Sequence, residues 1–133
     1  MTANTPRTRK EKGNRAERIV ATAYRQSGLF PNAQRMPMSG AMQFHKGDIF
    51  KGEYDIFVDE VKCQEKVQLW AWWDQTVSQC GINQQPVLHI TRNHSPMLTV
   101  MRMESYMDLR KTIKDLEEYS RDLEKKIAKG VKS

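Results

Sequence analysis

The sequence predicts an α/β or α+β domain, a small mixed β-sheet flanked by helices and followed by a long C-terminal helix. Three observations carry that prediction. Apolar residues recur at helical spacing near the N-terminus (Ala16, Ile19, Val20, Ala23, Tyr24) and again over 65–80 (Val67, Trp70, Trp73, Val77, Cys80). Short apolar runs bounded by Gly, Asn and Pro, "DIF", "YDIFVDEVK" and "QPVLHIT", lie between and after them, as strands do. From Glu104 to Lys129 no Gly or Pro interrupts the chain. Helices and strands in mixed order suit a layered domain rather than a bundle or a sandwich.

The chain's 133 residues suit one modest core with tails. We divide it into a basic flexible arm over 1–12, a domain over 13–103 and a C-terminal helix over 104–133. Asn14 is placed to cap the first helix, which runs to about Ser27 and stops at Gly28. "NAQRMP" is a short extended segment, and "MSGAMQFHKG" a loop. "DIF" opens a strand, "KGE" turns around Gly52, and "YDIFVDEVK" returns beside it as a hairpin. The helix over 65–80 comes next and ends at Gly81. Trp70 and Trp73 are expected in the core, with Trp72 pointing elsewhere. "QPVLHIT" and "MLTVMRM" are strands, and His89 is expected to be a satisfied structural histidine. In the last helix Leu109, Ile113, Leu116, Ser120, Leu123 and Ile127 alternate spacings of four and three, as a heptad seam does.

Charge and cysteine usage narrow the class. The formal net charge is +6, and residues 1–18 hold six bases (Arg7, Arg9, Lys10, Lys12, Arg15, Arg18) against Glu11 and Glu17. A basic arm fits contact with phosphate backbones or an anionic surface, so Arg7, Arg9, Lys10, Lys12 and Arg15, with Arg35 and Lys46, are candidate nucleic-acid contacts. No apolar run approaches the ~18 residues a membrane span needs. No apolar leader precedes the arm, so we expect a cytoplasmic protein; the small size of the chain suggests a prokaryote, or a virus in its host cell. Cys63 and Cys80 lack CxxC spacing, which argues for reduced thiols and against zinc.

The stretch that carries chemistry is "GDIFKGEYDIFVDEVK". On its second strand Tyr54, Ile56, Val58, Glu60 and Lys62 share one face, and Asp55, Phe57, Asp59, Val61 and Cys63 the other. Asp55 and Asp59 are thus expected to face away, toward solvent or a sheet edge. Asp48, on the paired strand, reaches the side where Glu60 and Lys62 lie. Two close carboxylates repel, and burial makes that worse. A hard divalent cation removes the conflict, since Mg²⁺ takes oxygen ligands at ~2.0–2.1 Å, usually one or two carboxylates plus waters. Asp48 and Glu60 are the expected ligands, with the Val61 carbonyl as a third and Mn²⁺ as a substitute metal. Lys62 then stands where an ammonium can orient an attacking water or offset charge on a pentavalent phosphorane.

Asp48 followed by Glu60-Val61-Lys62 resembles the PD-(D/E)xK nuclease signature, with Gly47 in place of its proline. "KGNRAER" opening a helix, Gly28 closing it, "RMPMSGA" and then "GDI" resemble the archaeal-type Holliday junction resolvases over roughly residues 12–102. The resemblance implies a restriction-endonuclease-like core and a metal-dependent endonuclease that makes paired nicks in four-way DNA junctions as a homodimer. It also implies that Glu17 completes the metal site and that Ser39 contributes from its loop. Two alternatives stay open: a nuclease of the same fold acting on duplex or flap DNA, and a nonenzymatic DNA-binding or assembly protein. The QxxxY element of related exonucleases does not follow; Gln75 lies on the next helix and is placed to support Lys62 or a phosphate.

Overall fold

A computed structural model describes residues 6–36 and 47–130, with side chains from Arg9 onward. Ser39, His45 and Lys46 lie outside the described residues, as does the side chain of Arg7. The chain divides into two compact units, Met1–Met101 and Arg102–Ser133. The architecture is α+β.

The first unit opens with α1 (Pro6–Gln26). This helix starts well before Asn14, so most of the segment expected to be a flexible arm is helical. Proline in the first turn fits, because its missing N–H has no intrahelical partner there. The helix stops where expected. Gly28 takes φ +82°, the Ser27 N–H donates to the Ala23 carbonyl (2.9 Å) and the Gly28 N–H to that of Arg25 (3.2 Å). Its buried stripe is Ala16, Val20 and Ala21, whereas Ile19 is about half exposed and Ala23 is exposed.

Two small sheets follow. β1 (Gln34–Arg35) pairs antiparallel with β2 (Ile49–Phe50). β3 (Phe57–Cys63) pairs parallel with β4 (Gln85–Thr91), and β4 pairs antiparallel with β5 (Leu98–Val100). The crossover between β3 and β4 carries α2 (Leu69–Ser78). The expected hairpin between β2 and β3 is not a ladder. One main-chain bond, Asp48 N–H to the Asp59 carbonyl (2.7 Å), links them. Lys51 explains this. Its amine is buried, paired with Asp55 and with Asp59 Oδ2 (2.7 Å), and donates to the Phe57 carbonyl (2.8 Å). Residues 51–56 loop around that amine instead of turning tightly.

α2 begins later than its apolar spacing suggested, so its phase differs. Trp72 and Thr76 are buried, while Val67 and Trp70 are exposed. Thr76 enters the core because its hydroxyl donates to the Trp72 carbonyl (2.8 Å). Trp72 is thus the core tryptophan and Trp70 is not, a correction of the expected pattern.

Strand parity holds, but its outer face is not solvent. α1 covers the Asp59, Val61 and Cys63 side, where Ala16, Val20, Ala21, Ile49 and Val61 form one core cluster. Asp59 is fully buried there, not exposed as expected. Its Oδ1 accepts from the Tyr24 hydroxyl and lies 2.7 Å from His89 Nε2; His89 Nδ1 lies 3.0 Å from Thr99 Oγ1. Lys51 also stands over the Tyr24 and Phe30 rings, 5.5 Å from each centroid.

The second unit is one helix, α3 (Met103–Ala128). Glu104 in its first turn and Lys125 and Lys126 in its last complement the helix dipole. Gly130, at φ +99°, follows it. No described helix is long and apolar enough to cross a membrane.

The Lys51–Asp59 pair is testable. Burial pushes the Asp59 carboxyl up, but the His89 bond and the Lys51 charge outweigh it and hold it below its ordinary value. The stability it contributes is present above that ordinary value and is lost as pH falls through the lowered one. Replacing Lys51→Met leaves Asp59 sealed in without its cation and should cost ~3–5 kcal/mol at pH 7. The deficit should shrink on acidification. Urea unfolding across pH checks both; a variant within error of wild type at pH 7 would remove the pair's structural role.

Candidate active site

β3 is the edge of its sheet, so alternate N–H and C=O groups point outward and need partners. The Asp59 carbonyl and the Val61 N–H are such groups, and Asp48 satisfies both. Its own N–H donates to Asp59, and its Oδ2 accepts from Val61 N–H (2.8 Å). One residue of β3 lies between those two bonds, and it is Glu60. Because N–H and C=O of one strand residue point the same way, the Val61 carbonyl faces this edge too.

Gly47 makes the approach possible. It takes φ +92°, and a Cβ there would stand 2.5 Å from the Asp59 carbonyl oxygen. The residue at the position of the motif's proline therefore allows the chain to pass against β3.

Glu60 is buried on the other side of the strand from Asp59. Its Oε1 accepts weakly from Gln75 Nε2 (3.4 Å) on α2 and lies 3.8 Å from Lys62 Nζ. Gln75 thus meets Glu60, not Lys62. Oε2 is buried with no hydrogen-bond partner among the described residues. Burial first, then the negative charge of Asp48, push the Glu60 carboxyl up to about 7, with Lys62 pulling the other way. Glu17, on α1, joins from the side. Burial and then Asp48 raise its carboxyl, while Arg35 counters. Arg35 Nε donates to Glu17 Oε1 (3.0 Å) and Nη2 to Asn14 Oδ1 (2.7 Å). Arg35, read from the sequence as a phosphate contact, is therefore part of the site's own frame.

The set suits a hard cation in its donor chemistry, all oxygen, and in its orphaned buried Glu60 Oε2. Among the described residues no group of three or more His, Cys, Asp and Glu side chains is gathered to hold a metal. Mg²⁺ does not require one, since two carboxylates, a carbonyl and waters fill its shell. Asp48 and Glu60 would hold it, with the Val61 carbonyl beside them.

Of the basic candidates, Lys10 and Arg15 are exposed on α1. Arg9 and Lys12 line a cleft of about 320 Å³ with Cys63, Gln64, Glu65, Lys66 and Asn93, just beyond Lys62 on the chain. Lys66 was not singled out from the sequence; its place one turn before α2 and shortly after the "EVK" run was the available signal. Lys51, also missed, reads in sequence as a turn lysine beside Gly52.

A protein-family model described as "Phage putative PDDEXK endonuclease" matches residues 8–132. No curated protein and no solved structure matches the chain.

Two outcomes follow from this geometry. With a folded value near 7 against 4.5 unfolded, ionised Glu60 costs stability that is regained as pH falls. In EDTA, Glu60→Gln should therefore be more stable than wild type at pH 8, on the order of 2–3 kcal/mol, and equal to it near pH 4. Denaturant titration at the two pH values measures this, and a less stable variant at pH 8 would contradict it. Gly47→Ala should lose at least ~2 kcal/mol, from the disfavoured φ and the displaced Asp48–Asp59 bond. A variant that unfolds with wild type would show that the close approach is dispensable.

Proposed function

Because the chain belongs to this family of phage PD-(D/E)xK endonucleases, we propose that it hydrolyses DNA phosphodiester bonds with a divalent cation held by Asp48 and Glu60. Mg²⁺ is the expected metal and Mn²⁺ a working substitute. One observation carries the reading: a buried, half-satisfied Glu60 is fixed beside Asp48 at a sheet edge, with Lys62 3.8 Å from it. A carboxylate pair forced together in that way is poised for a cation.

Each residue has a role in this reading. Asp48 and Glu60 bind the metal, and the Val61 carbonyl adds an oxygen. When bound, the cation supplies Lewis-acid polarisation of the phosphate and an acidified water. Lys62 presents its ammonium to the attacking water and to charge developing on the phosphate oxygens. Glu17 assists through water, held in place by Arg35. Ser39 contributes to the site, as in the resolvases that the sequence resembles. Arg9, Lys10, Lys12 and Arg15 along α1, with Arg7, Lys46 and Lys66, hold the DNA backbone.

For substrate we favour a four-way junction, on the likeness of "KGNRAER", "RMPMSGA" and "GDI" to the junction resolvases. Paired nicks across a two-fold junction call for two copies of the chain. Cleavage leaving a 5′-phosphate goes with that likeness. Duplex or flap DNA is the competing substrate, because fold alone does not choose among them.

The test offers labelled four-way junction, flap and plain duplex with Mg²⁺, Mn²⁺ or EDTA. Wild type should nick the junction in pairs, EDTA should stop it, and Asp48→Asn should cut at least about a hundredfold more slowly. Equal cutting of plain duplex would move the substrate to the competing class. Cutting that survives EDTA or the Asn variant would remove the site.

A further inference from the structure

α3 carries an apolar seam along its length. In heptad terms Tyr106, Ile113, Ser120 and Ile127 occupy one core position, and Leu109, Leu116 and Leu123 the other. The six apolar members of that seam are 40–65% exposed. Met103 and Met107 extend the apolar surface at the N-terminal end, and Tyr119 flanks it. A polar helix of this length gains most of its stability from packing such a stripe. Exposed patches of this kind mark interaction sites.

We propose that the seam is covered by α3 of a second copy of this chain, lying antiparallel. This goes beyond the nuclease reading and does not need it. The argument rests on charge and register. The positions flanking the seam on one side are Arg110, Glu117 and Glu124, and on the other Thr112, Tyr119 and Lys126. In a parallel pair each of these faces the opposite flank of its partner. Arg110 then meets Ser105, Glu117 meets Thr112 and Glu124 meets Tyr119, with no opposite charges brought together. In an antiparallel pair each flank faces itself. When Ile113 packs on Leu116 of the second copy, Tyr106 packs on Leu123 and Leu109 on Ser120, while Met103, on the flank, comes against Glu124. That register overlaps α3 along nearly its whole length, and it sets Arg110 against Glu117 twice, by symmetry. Sliding the partner by one heptad toward the C-terminal end exchanges those pairs for Arg110 against Glu124, but it sets Glu117 against Glu117 and leaves Tyr106 and Met103 uncovered. Such flanking pairs add little stability, but they decide orientation.

The antiparallel arrangement puts the N-terminal ends of the two helices at opposite ends of a rod about 39 Å long, at 1.5 Å per residue. A parallel pair would put them side by side. The test uses the full chain with Cys63 and Cys80 replaced by serine. Sedimentation equilibrium should give a two-chain mass. Glu117→Arg should shift the association midpoint at least tenfold toward single chains, and Arg110→Glu combined with Glu117→Arg should restore it. Under oxidation, a mixture of Ser120→Cys and Leu109→Cys chains should form the mixed disulfide dimer, and Ser120→Cys alone should not dimerise. Self-crosslinking of Ser120→Cys would overturn the proposal in favour of a parallel pair. A single-chain mass at every concentration would overturn it in favour of a seam covered within the chain. Circular dichroism checks that each variant keeps its helix, and failure of the charge swap to restore a folded Glu117→Arg chain also counts against it. None of these readouts depends on DNA cleavage.

Discussion

Two hydrogen bonds made by Asp48 hold the site together. An edge strand must have its outward main-chain groups satisfied, and β3 uses Asp48 for this where a neighbouring strand would otherwise stand. The backbone N–H of Asp48 serves the Asp59 carbonyl, and its carboxylate serves the Val61 N–H. β2, the strand that follows Asp48, is only Ile49–Phe50 and pairs with β1, not with this edge. The side-chain oxygen is thereby committed to the main chain, and it brings negative charge beside Glu60. A carboxylate recruited as a structural acceptor becomes half of a chemical pair.

Asp59 and Glu60 are consecutive residues with opposite fates. Each is buried. Asp59 has a cation, an imidazole and a phenol around it, and its carboxyl is held low. Glu60 has a long bond from Gln75, a lysine at 3.8 Å and a neighbouring carboxylate, and its carboxyl is pushed up to about 7. Strand alternation sends the two to different layers. One layer supplies compensation and the other withholds it. The well-paired charge fastens α1 to the sheet, and the poorly paired one is available for chemistry.

Strand parity and the apolar residues interleaved with it pointed to Glu60 and Lys62 of the candidate site, whereas Glu17 came only from the family resemblance. Strand parity separated Glu60 and Lys62 from Asp55 and Asp59, and the apolar residues interleaved with them signalled burial. Parity does not say what covers each face. Asp59 was expected toward solvent because nothing local announces Tyr24 and His89, which are 35 and 30 residues away in the chain. Lys51 was hidden for the same reason: "KGE" is a turn in composition, and only its distant partners make the lysine a buried one. The phase of α2 failed differently. Apolar spacing fits more than one stripe on a short helix, and Thr76 could be recognised as a core residue only through its bond to the Trp72 carbonyl. The onset of α1 was missed because Asn14 is a good cap in composition, whereas Pro6 is the residue that starts the helix.

The structural charge also helps to place the chemical ones. Glu17 and Tyr24 are seven residues apart on α1, two turns along one face. Tyr24 is bonded to Asp59, which fixes the rotation of α1 over β3. That rotation turns Glu17 toward Asp48, closely enough for the Asp48 charge to raise its carboxyl. Arg35 on β1 then holds Glu17 from the other side, with Asn14 holding Arg35. β1 is paired with β2, the strand that follows Asp48. The same short ladder that carries Asp48 to the edge of β3 therefore carries the arginine that steadies Glu17. Asp59, which touches no substrate in this reading, sets the helix on which the third carboxylate stands, so its burial is a condition of the site's geometry as well as of the fold.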